Sequence, residues 1–232
     1  TMKKIILLIF LIFSQIGAAQ EKRWFITYSD TISLVKDAQS ITKAFTNDVK
    51  SINKDFTYNI KTVLHTTPYL IYFYKDAANI PFWDQVIPEQ KQFFYEIAGS
   101  EEEGKKIFGL FFNGFYLPHE LGHAYEFVLK GETIGSYEGE YFANTVAMLW
   151  WKKHHRTKEL KQCYEAAKKM WTKLPNPVPA GTTIEEYFSK NYEQASQNPY
   201  VYGYMQFKQF IEIYENKNLP DFDTFIQQQS KK

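Results

Sequence analysis

Three residues near the middle of the chain have the types and the spacing of a metal site. His119 and His123 are four positions apart, so on a helix their imidazoles leave the same face, one turn apart. Two imidazole nitrogens placed in this way can take adjacent corners of a zinc tetrahedron. Glu120 lies between them and can reach a water on the metal, whose proton it would accept as that water attacks a carbonyl. The pattern predicts a Zn²⁺ site that serves metal-assisted hydrolysis of peptide bonds.

A catalytic zinc ion needs a third protein ligand and one open coordination position. No histidine follows His123 within residues 124–129, so an acid further along the chain is predicted to complete the set. Glu140 is the first candidate, because on a helix it shares a face with Ala143, whose small side chain allows close packing against the histidine-bearing helix. Asn144 is predicted to hold that helix by a hydrogen bond from behind the ligands. Glu138 is the alternative ligand, and a solvated surface role for Glu140 is the alternative without a metal.

With these residues the chain resembles the gluzincin metallopeptidases. These are zinc enzymes whose third ligand is a glutamate on the helix that follows the motif helix, which is the helix that carries the two histidines. The resemblance covers about residues 105–228 and rests first on the run from His119 to His123 and on Glu140. Its second half is the Tyr-Val-Tyr-Gly run at residues 200–203, which looks like the Tyr-x-x-Gly segment of aminopeptidase-type gluzincins. The resemblance implies that the hydroxyl of Tyr200 faces the zinc site and stabilises the oxyanion of the tetrahedral intermediate. In a chain with 17 tyrosines, aromatic packing is the alternative role.

The chain departs from the aminopeptidases of that group in one respect. It lacks the Gly-x-Met-Glu-Asn segment with which they hold the free amine of the substrate. This departure argues against aminopeptidase activity and favours a reduced version of the fold that acts as an endopeptidase. The β-prone residues 69–74 could then bind a substrate segment in extended form, by strand addition to a sheet edge. The predicted partner is a peptide or protein substrate.

The first 19 residues have the order of features found in secretory signal peptides. Lys3 and Lys4 precede an apolar run of nine residues, 5–13, and small residues follow up to Ala19. A membrane-spanning helix needs about 20 apolar residues, so this run is too short to be a stable membrane anchor. The sequence predicts cleavage near Ala19 and an exported protein, periplasmic or extracellular, that begins at Gln20.

Charge and cysteine content argue against a nucleic-acid-binding protein and against a fold held together by internal disulfides. The full chain has a net charge of 27 − 26 = +1, and loss of residues 1–19 with their two lysines changes it to 25 − 26 = −1. A near-neutral chain lacks the basic surface that nucleic-acid binding requires. Cys163 is the only cysteine, so no disulfide can form within the chain. The oligomeric state is left open by these observations.

The remaining pattern predicts an α+β fold, which the resemblance makes zincin-like. Pro118 must either begin a helix or kink a longer one, and Gly131 is predicted to end the motif helix. Residues 20–232 are predicted to form a single domain, with an N-terminal lobe at 20–130 that includes the motif helix and a helical C-terminal lobe at 131–232. The predicted strands are β-prone runs at 24–28, 57–60, 62–65 and 69–74. Helices are predicted at about 33–52, 88–98, 137–155 and 158–174. Three further helices are predicted to begin near residues 101, 184 and 199, and the first of these continues into the run from His119 to His123.

Two functions other than a secreted zinc peptidase are compatible with these residues. The chain could be a zinc-binding module of the same fold without turnover, or a latent peptidase whose own N-terminal segment occupies the cleft. Glu120 favours the enzyme, because zinc binding alone does not need this carboxylate.

Overall fold

The computed structural model describes residues 24–131 and 135–231, and in them a small three-stranded sheet accompanies a mainly helical body. This composition confirms the predicted α+β class. The elements are α1 (Thr31–Ile52), β1 (Lys61–Leu64), β2 (Tyr72–Tyr74), β3 (Ala77–Ile80), α2 (Pro88–Ala98), α3 (Glu101–Leu110), α4 (Tyr116–Lys130), α5 (Tyr137–Lys153), α6 (Thr157–Trp171), α7 (Ile184–Ser196), α8 (Pro199–Glu215) and α9 (Phe222–Gln229).

The helices begin close to their predicted starts because capping residues define them. The carboxylate of Asp30 accepts a hydrogen bond from the amide of Ser33 at the start of α1. Thr183 and Glu186 form a reciprocal capping box at the start of α7. At α8, Asn198 caps the first amides, and a proline occupies the first helical position, where no amide is needed.

The sheet has the order β1-β3-β2, with β3 parallel to β1 and antiparallel to β2. The predicted strands at 62–65 and 69–74 correspond to β1 and β2, whereas residues 57–60 form no strand and β3 was not predicted. The Ala-Ala-Asn-Ile sequence of β3 has low β-propensity, but the strand is paired on both sides and Ala78 and Ile80 are fully buried. Among the described strands, β2 lies at the edge of the sheet.

The β-prone run at residues 24–28 is not a strand, which corrects the prediction. Phe25 has a positive φ of 71°, and its amide donates to the carbonyl of Asn113 at 2.8 Å. The indole N–H of Trp24 donates to the carbonyl of Gly114, also at 2.8 Å. These aromatic side chains are buried against a helical segment, so packing rather than strand pairing determines their backbone.

The helix that carries the two histidines follows a turn of π-helix at residues 111–115. Asn113 departs from helical geometry there, with φ −106° and ψ 24°. Pro118 lacks the N–H that would reach the carbonyl of Gly114 in a regular helix, and that carbonyl accepts the indole of Trp24 instead. Pro118 therefore lies in a longer, kinked helical run, the second of the two outcomes that its position allowed.

α4 and α5 approach each other closely because residue 122 is a glycine. A Cβ atom at Gly122 would lie 3.0 Å from the Cα of Ala143 and 3.3 Å from its carbonyl oxygen. α4 ends as predicted at Gly131, whose φ of 79° is the left-handed conformation that favours glycine. Ser136 caps the start of α5, and its hydroxyl accepts a hydrogen bond from the amide of Gly139 at 3.0 Å. The faces that carry the predicted ligands are thus in contact.

The predictions of a signal peptide and of no membrane anchor concern parts of the molecule away from this contact. Residues 1–19, the predicted signal peptide, lie outside the described part of the chain. None of the helices in residues 24–131 and 135–231 combines the length and the apolar character that crossing a bilayer requires.

Candidate metal centre

The side chains of His119, His123 and Glu140 converge in the interior of the protein. Nε2 of His119 lies 3.2 Å from Nε2 of His123 and 3.2 Å from Oε2 of Glu140. Nε2 of His123 lies 3.7 Å from Oε1 of Glu140. One ligand atom from each residue lies within 4.8 Å of the other two, and no other such group of His, Cys, Asp or Glu side chains occurs among the described residues. We refer to these three side chains as the donor set.

Helical periodicity explains how α4 and α5 bring the donor set together. His119 and His123 are one turn apart on the face of α4 that packs on α5. Glu140 lies in the first turn of α5 and is 3% exposed. Glu138, two positions earlier, is exposed and accepts a hydrogen bond from the hydroxyl of Ser189 at 3.4 Å. The structure therefore brings Glu140, and not Glu138, to the histidines.

Asn144 contacts His119 at the ring nitrogen that faces away from Glu140. Its Oδ1 lies 2.9 Å from Nδ1 of His119, and both residues are buried. The NH₂ group of Asn144 donates to Oε1 of Gln206 at 2.9 Å and to Oε1 of Gln209 at 3.0 Å. Because that NH₂ group is engaged, Oδ1 must accept, and the proton of His119 lies on Nδ1. This tautomer leaves the lone pair of Nε2 free for a metal.

Side chains from α7 and α8 hold both oxygens of the Glu140 carboxylate. Gln206 donates through Nε2 to Oε2 of Glu140 at 2.6 Å and to the hydroxyl of Tyr202 at 2.9 Å. The hydroxyl of Tyr192 donates to Oε1 of Glu140 at 2.5 Å. The rings of Tyr192 and Tyr202 pack edge-on at 6.4 Å between centroids. The carboxylate is therefore fixed in orientation, as a metal ligand held by outer hydrogen bonds would be.

The charges of the donor set favour a proton on His123 when no cation is present. Burial lowers the pKa of His123, but the neighbouring carboxylates of Glu140 and Glu126 outweigh it and raise the pKa to about 10. Burial raises the pKa of Glu140, but the charge on His123 and its contact with the carboxylate hold the pKa well below its usual value. A divalent cation can neutralise the same carboxylate in place of that proton.

Glu120 lies beside the donor set without belonging to it, and it is 6% exposed. Burial raises the pKa of its carboxyl above the usual value, although the neighbouring imidazoles and the backbone of Phe73 oppose the shift. A carboxyl whose pKa is moved toward neutrality is suited to accept and return a proton near pH 7. Because Phe73 belongs to β2, Glu120 lies beside this edge of the sheet.

The structure does not bring Tyr200 into the donor set. Its hydroxyl donates to Oε2 of Glu96 at 2.5 Å, and its ring packs edge-on against Phe93 at 4.9 Å between centroids. Two positions along a helix correspond to a rotation of about 200°, so Tyr202 faces the opposite way, toward Gln206. Tyr202 and not Tyr200 is therefore the tyrosine of α8 that lies near the donor set.

Four side chains around the donor set were not predicted from the sequence: Glu126, Tyr192, Tyr202 and Gln206. A signal existed for Glu126, which lies three positions after His123 and so on the same helix face. Tyr192 and Gln206 come from α7 and α8, and no spacing in the sequence relates them to the ligands.

The only cysteine takes no part in this site. Cys163 is buried in α6 with its Sγ 3.5 Å from the carbonyl of Leu110. Burial raises the pKa of its thiol well above the usual value. A thiol in this setting is chemically inert, which leaves the donor set and Glu120 as the reactive groups of interest.

Comparisons of the chain with models of protein families, with curated proteins and with solved structures find no match. The interpretation of the site therefore depends on its own residues and their geometry.

Proposed function

We propose that the chain is an exported zinc metallopeptidase of the gluzincin type, with a zincin-like fold, that hydrolyses internal peptide bonds. The observation that carries this proposal is the convergence of His119, His123 and Glu140 beside the buried carboxyl of Glu120. Two imidazoles and a glutamate are the protein ligands of several catalytic zinc ions. The proposed export depends on the signal-peptide pattern at residues 1–19.

The donor set suits Zn²⁺ by its own chemistry. Asn144 keeps His119 in the tautomer that offers Nε2, and the lowered pKa of Glu140 makes it an ionised oxygen ligand. Three protein ligands leave a coordination position open, as in catalytic rather than structural sites. When bound, the zinc ion supplies Lewis acidity, which acidifies water and polarises a carbonyl.

Glu120 is proposed as the general base. It would accept the proton of the attacking water and return it to the leaving amine. The carboxyl lies near the backbone of Phe73 and so beside β2. A site that only stored or sensed a metal would have no need of this buried carboxyl, and its presence supports an enzyme.

Tyr192 is proposed as the hydrogen-bond donor to the oxyanion, in place of Tyr200. Its hydroxyl is 2.5 Å from Oε1 of Glu140 and therefore at the donor set, and its one proton would turn from that carboxylate to the oxyanion. The hydroxyl of Tyr200 is instead bonded to Glu96. Burial and the charge of Glu140 raise the pKa of Tyr192 far above its usual value, so the hydroxyl keeps its proton. A donor aimed at developing charge contributes about 2.7–4 kcal/mol to transition-state stabilisation.

The edge strand supports an extended peptide as the substrate. β2 pairs with β3 on one side, and no described strand pairs with its other side. Tyr69 precedes β2 and Tyr74 ends it, and they are 71% and 61% exposed, so they offer apolar surface to substrate side chains. A peptide added to this edge would lie next to Glu120, whose carboxyl is near the backbone of Phe73. This mode of binding needs no free terminus and so supports endopeptidase activity.

The test uses the protein that comprises residues 20–232. It combines metal analysis with digestion of a diverse peptide library. We expect zinc in the wild type, in Glu120→Gln and in the surface control Glu138→Gln. Cleavage should persist in the control and fall about 10²–10⁴-fold in Glu120→Gln, because no group then accepts the proton. A zinc-loaded wild type that cleaves nothing would favour the binding module or the latent peptidase. Normal cleavage by Glu120→Gln would refute the mechanism.

A further inference from the structure

Glu126 places a buried carboxylate next to the second histidine of the donor set. It lies on α4 three positions after His123 and is 3% exposed. Its Oε1 accepts a hydrogen bond from Nζ of Lys130 at 2.6 Å. Its Oε2 is buried, has no hydrogen-bond partner and lies 3.6 Å from Nδ1 of His123. A buried acceptor without a donor is costly, so this oxygen needs an explanation.

The nearest ring nitrogen supplies one. Nδ1 of His123 is the nitrogen opposite to Nε2, and Nε2 faces Glu140. His119 has the same arrangement, with Nε2 facing Glu140 and Nδ1 facing an oxygen acceptor on Asn144. Each histidine thus has an oxygen behind it, an amide for one and a carboxylate for the other.

We propose that Glu126 is a positioning residue that accepts the Nδ1–H of His123 and so presents Nε2 of that ring to the metal. The proposal depends on the proposed metal site and adds to it a second oriented ligand. A small rotation of the imidazole would bring Nδ1 within hydrogen-bonding distance of Oε2. A charged acceptor forms a stronger hydrogen bond than a neutral one and makes the opposite nitrogen a better donor to the metal.

Lys130 offers the competing explanation, in which Glu126 serves only an ion pair. Lys130 lies one turn after Glu126 on α4, and its side chain is 59% exposed. An exposed lysine at this spacing contributes little to the stability of a helix. If the pair were the whole role of Glu126, removal of either partner would have the same consequence. If Glu126 positions His123, only changes at Glu126 should affect the metal.

The experiment measures zinc affinity by chelator competition on residues 20–232, for the wild type, Glu126→Gln, Glu126→Asp and Lys130→Met. Glu126→Gln keeps the size of the side chain and removes its charge, and we expect about a tenfold loss of affinity. Lys130→Met should remain within about threefold of the wild type. Melting temperatures of the metal-free proteins report any general loss of structure, and the visible spectrum of the Co²⁺ forms reports the ligand geometry.

The outcomes separate the proposals. Unchanged zinc affinity in Glu126→Gln, or an equal loss in Lys130→Met, overturns the role of Glu126. If Glu126→Gln does not fold, Glu126→Asp tests the proposal instead. A shortened carboxylate should also lower the zinc affinity and alter the Co²⁺ spectrum. Failure of the wild type to bind zinc would instead refute the metal site, and with it the proposed function.

Discussion

The backbone carbonyl of Tyr137 determines the tautomer of His119, through the side-chain amides of Gln209 and Asn144. Gln209 donates to that carbonyl at 2.9 Å, and since a carbonyl can only accept, Oε1 of Gln209 must face the NH₂ group of Asn144. Oδ1 of Asn144 is thereby turned to Nδ1 of His119. The orientation of a proposed ligand on α4 is thus set by contacts between α5 and α8.

The identity of the metal ligands can be tested by zinc stoichiometry. Purified wild-type protein should contain about one zinc per chain. His123→Ala and Glu140→Gln should each lose most of it, because two donors hold the ion weakly, while Glu138→Gln should keep it. Elemental analysis after gel filtration measures the content, and circular dichroism monitors the helices. Full zinc retention by Glu140→Gln would exclude this residue as a ligand.

Zinc binding should release about one proton per chain near pH 7.5. Without metal, His123 keeps its proton because its pKa is raised to about 10, and a metal-bound imidazole cannot keep it. Glu140 is already ionised, since its pKa is lowered, and releases none. Affinity should therefore rise by about tenfold per pH unit up to the pKa of His123 and level off above it.

Isothermal titration calorimetry in two buffers with different ionisation enthalpies measures the number of protons released. His123→Ala serves as the control, because its remaining weak binding should release fewer protons. Buffer-independent heats in the wild type would contradict the assigned protonation of His123.

Tyr192→Phe should reduce turnover about 10²–10³-fold with little effect on substrate affinity, because an oxyanion donor acts mainly in the transition state. Tyr200→Phe is the matched control, since its hydroxyl contacts Glu96 outside the donor set, and its turnover should remain near that of the wild type. Steady-state kinetics on a peptide from the library digestion measures both. The reverse ranking of the two variants would restore Tyr200 as the donor.

Gly122→Ala should destabilise the metal-free protein by about 1–3 kcal/mol. The added Cβ would lie 3.0 Å from the backbone Cα of Ala143, so α4 and α5 would have to separate. Gly203→Ala is the control within α8, where the nearest atom is Cδ1 of Leu174 at an ordinary 3.5 Å. It should stabilise the protein by up to about 1 kcal/mol through helix propensity. Urea unfolding measures both, and equal stabilities would argue against the close helix contact.

The parts of the site that could be predicted lie within single helices. His119 and His123 share a face because they are four residues apart, and Glu140 shares one with Ala143, so helical geometry alone relates them. The contacts of Gln206 and Tyr192 with Glu140 join residues 66 and 52 positions apart. Such contacts depend on how α7 and α8 pack, which local spacing does not contain.

The errors in the predicted fold have the same origin. β3 has the local composition of a poor strand and is formed by its two neighbours, whereas residues 24–28 have the composition of a good strand and find no partner. Tyr200 and Tyr202 lie in one motif-like run but on opposite sides of α8, and only the packing of that helix decides which one approaches the donor set.

The hydrogen bonds from α8 also bear on when a metal can be acquired. Gln206 and Gln209 contact Asn144 across 62 and 65 residues of chain, and contacts of such long range form late in folding because large loops must close first. A chain truncated before α8 would contain every proposed ligand yet leave Asn144 and Glu140 without these partners. Metal uptake should therefore follow completion of the fold, so that an occupied site marks a finished molecule.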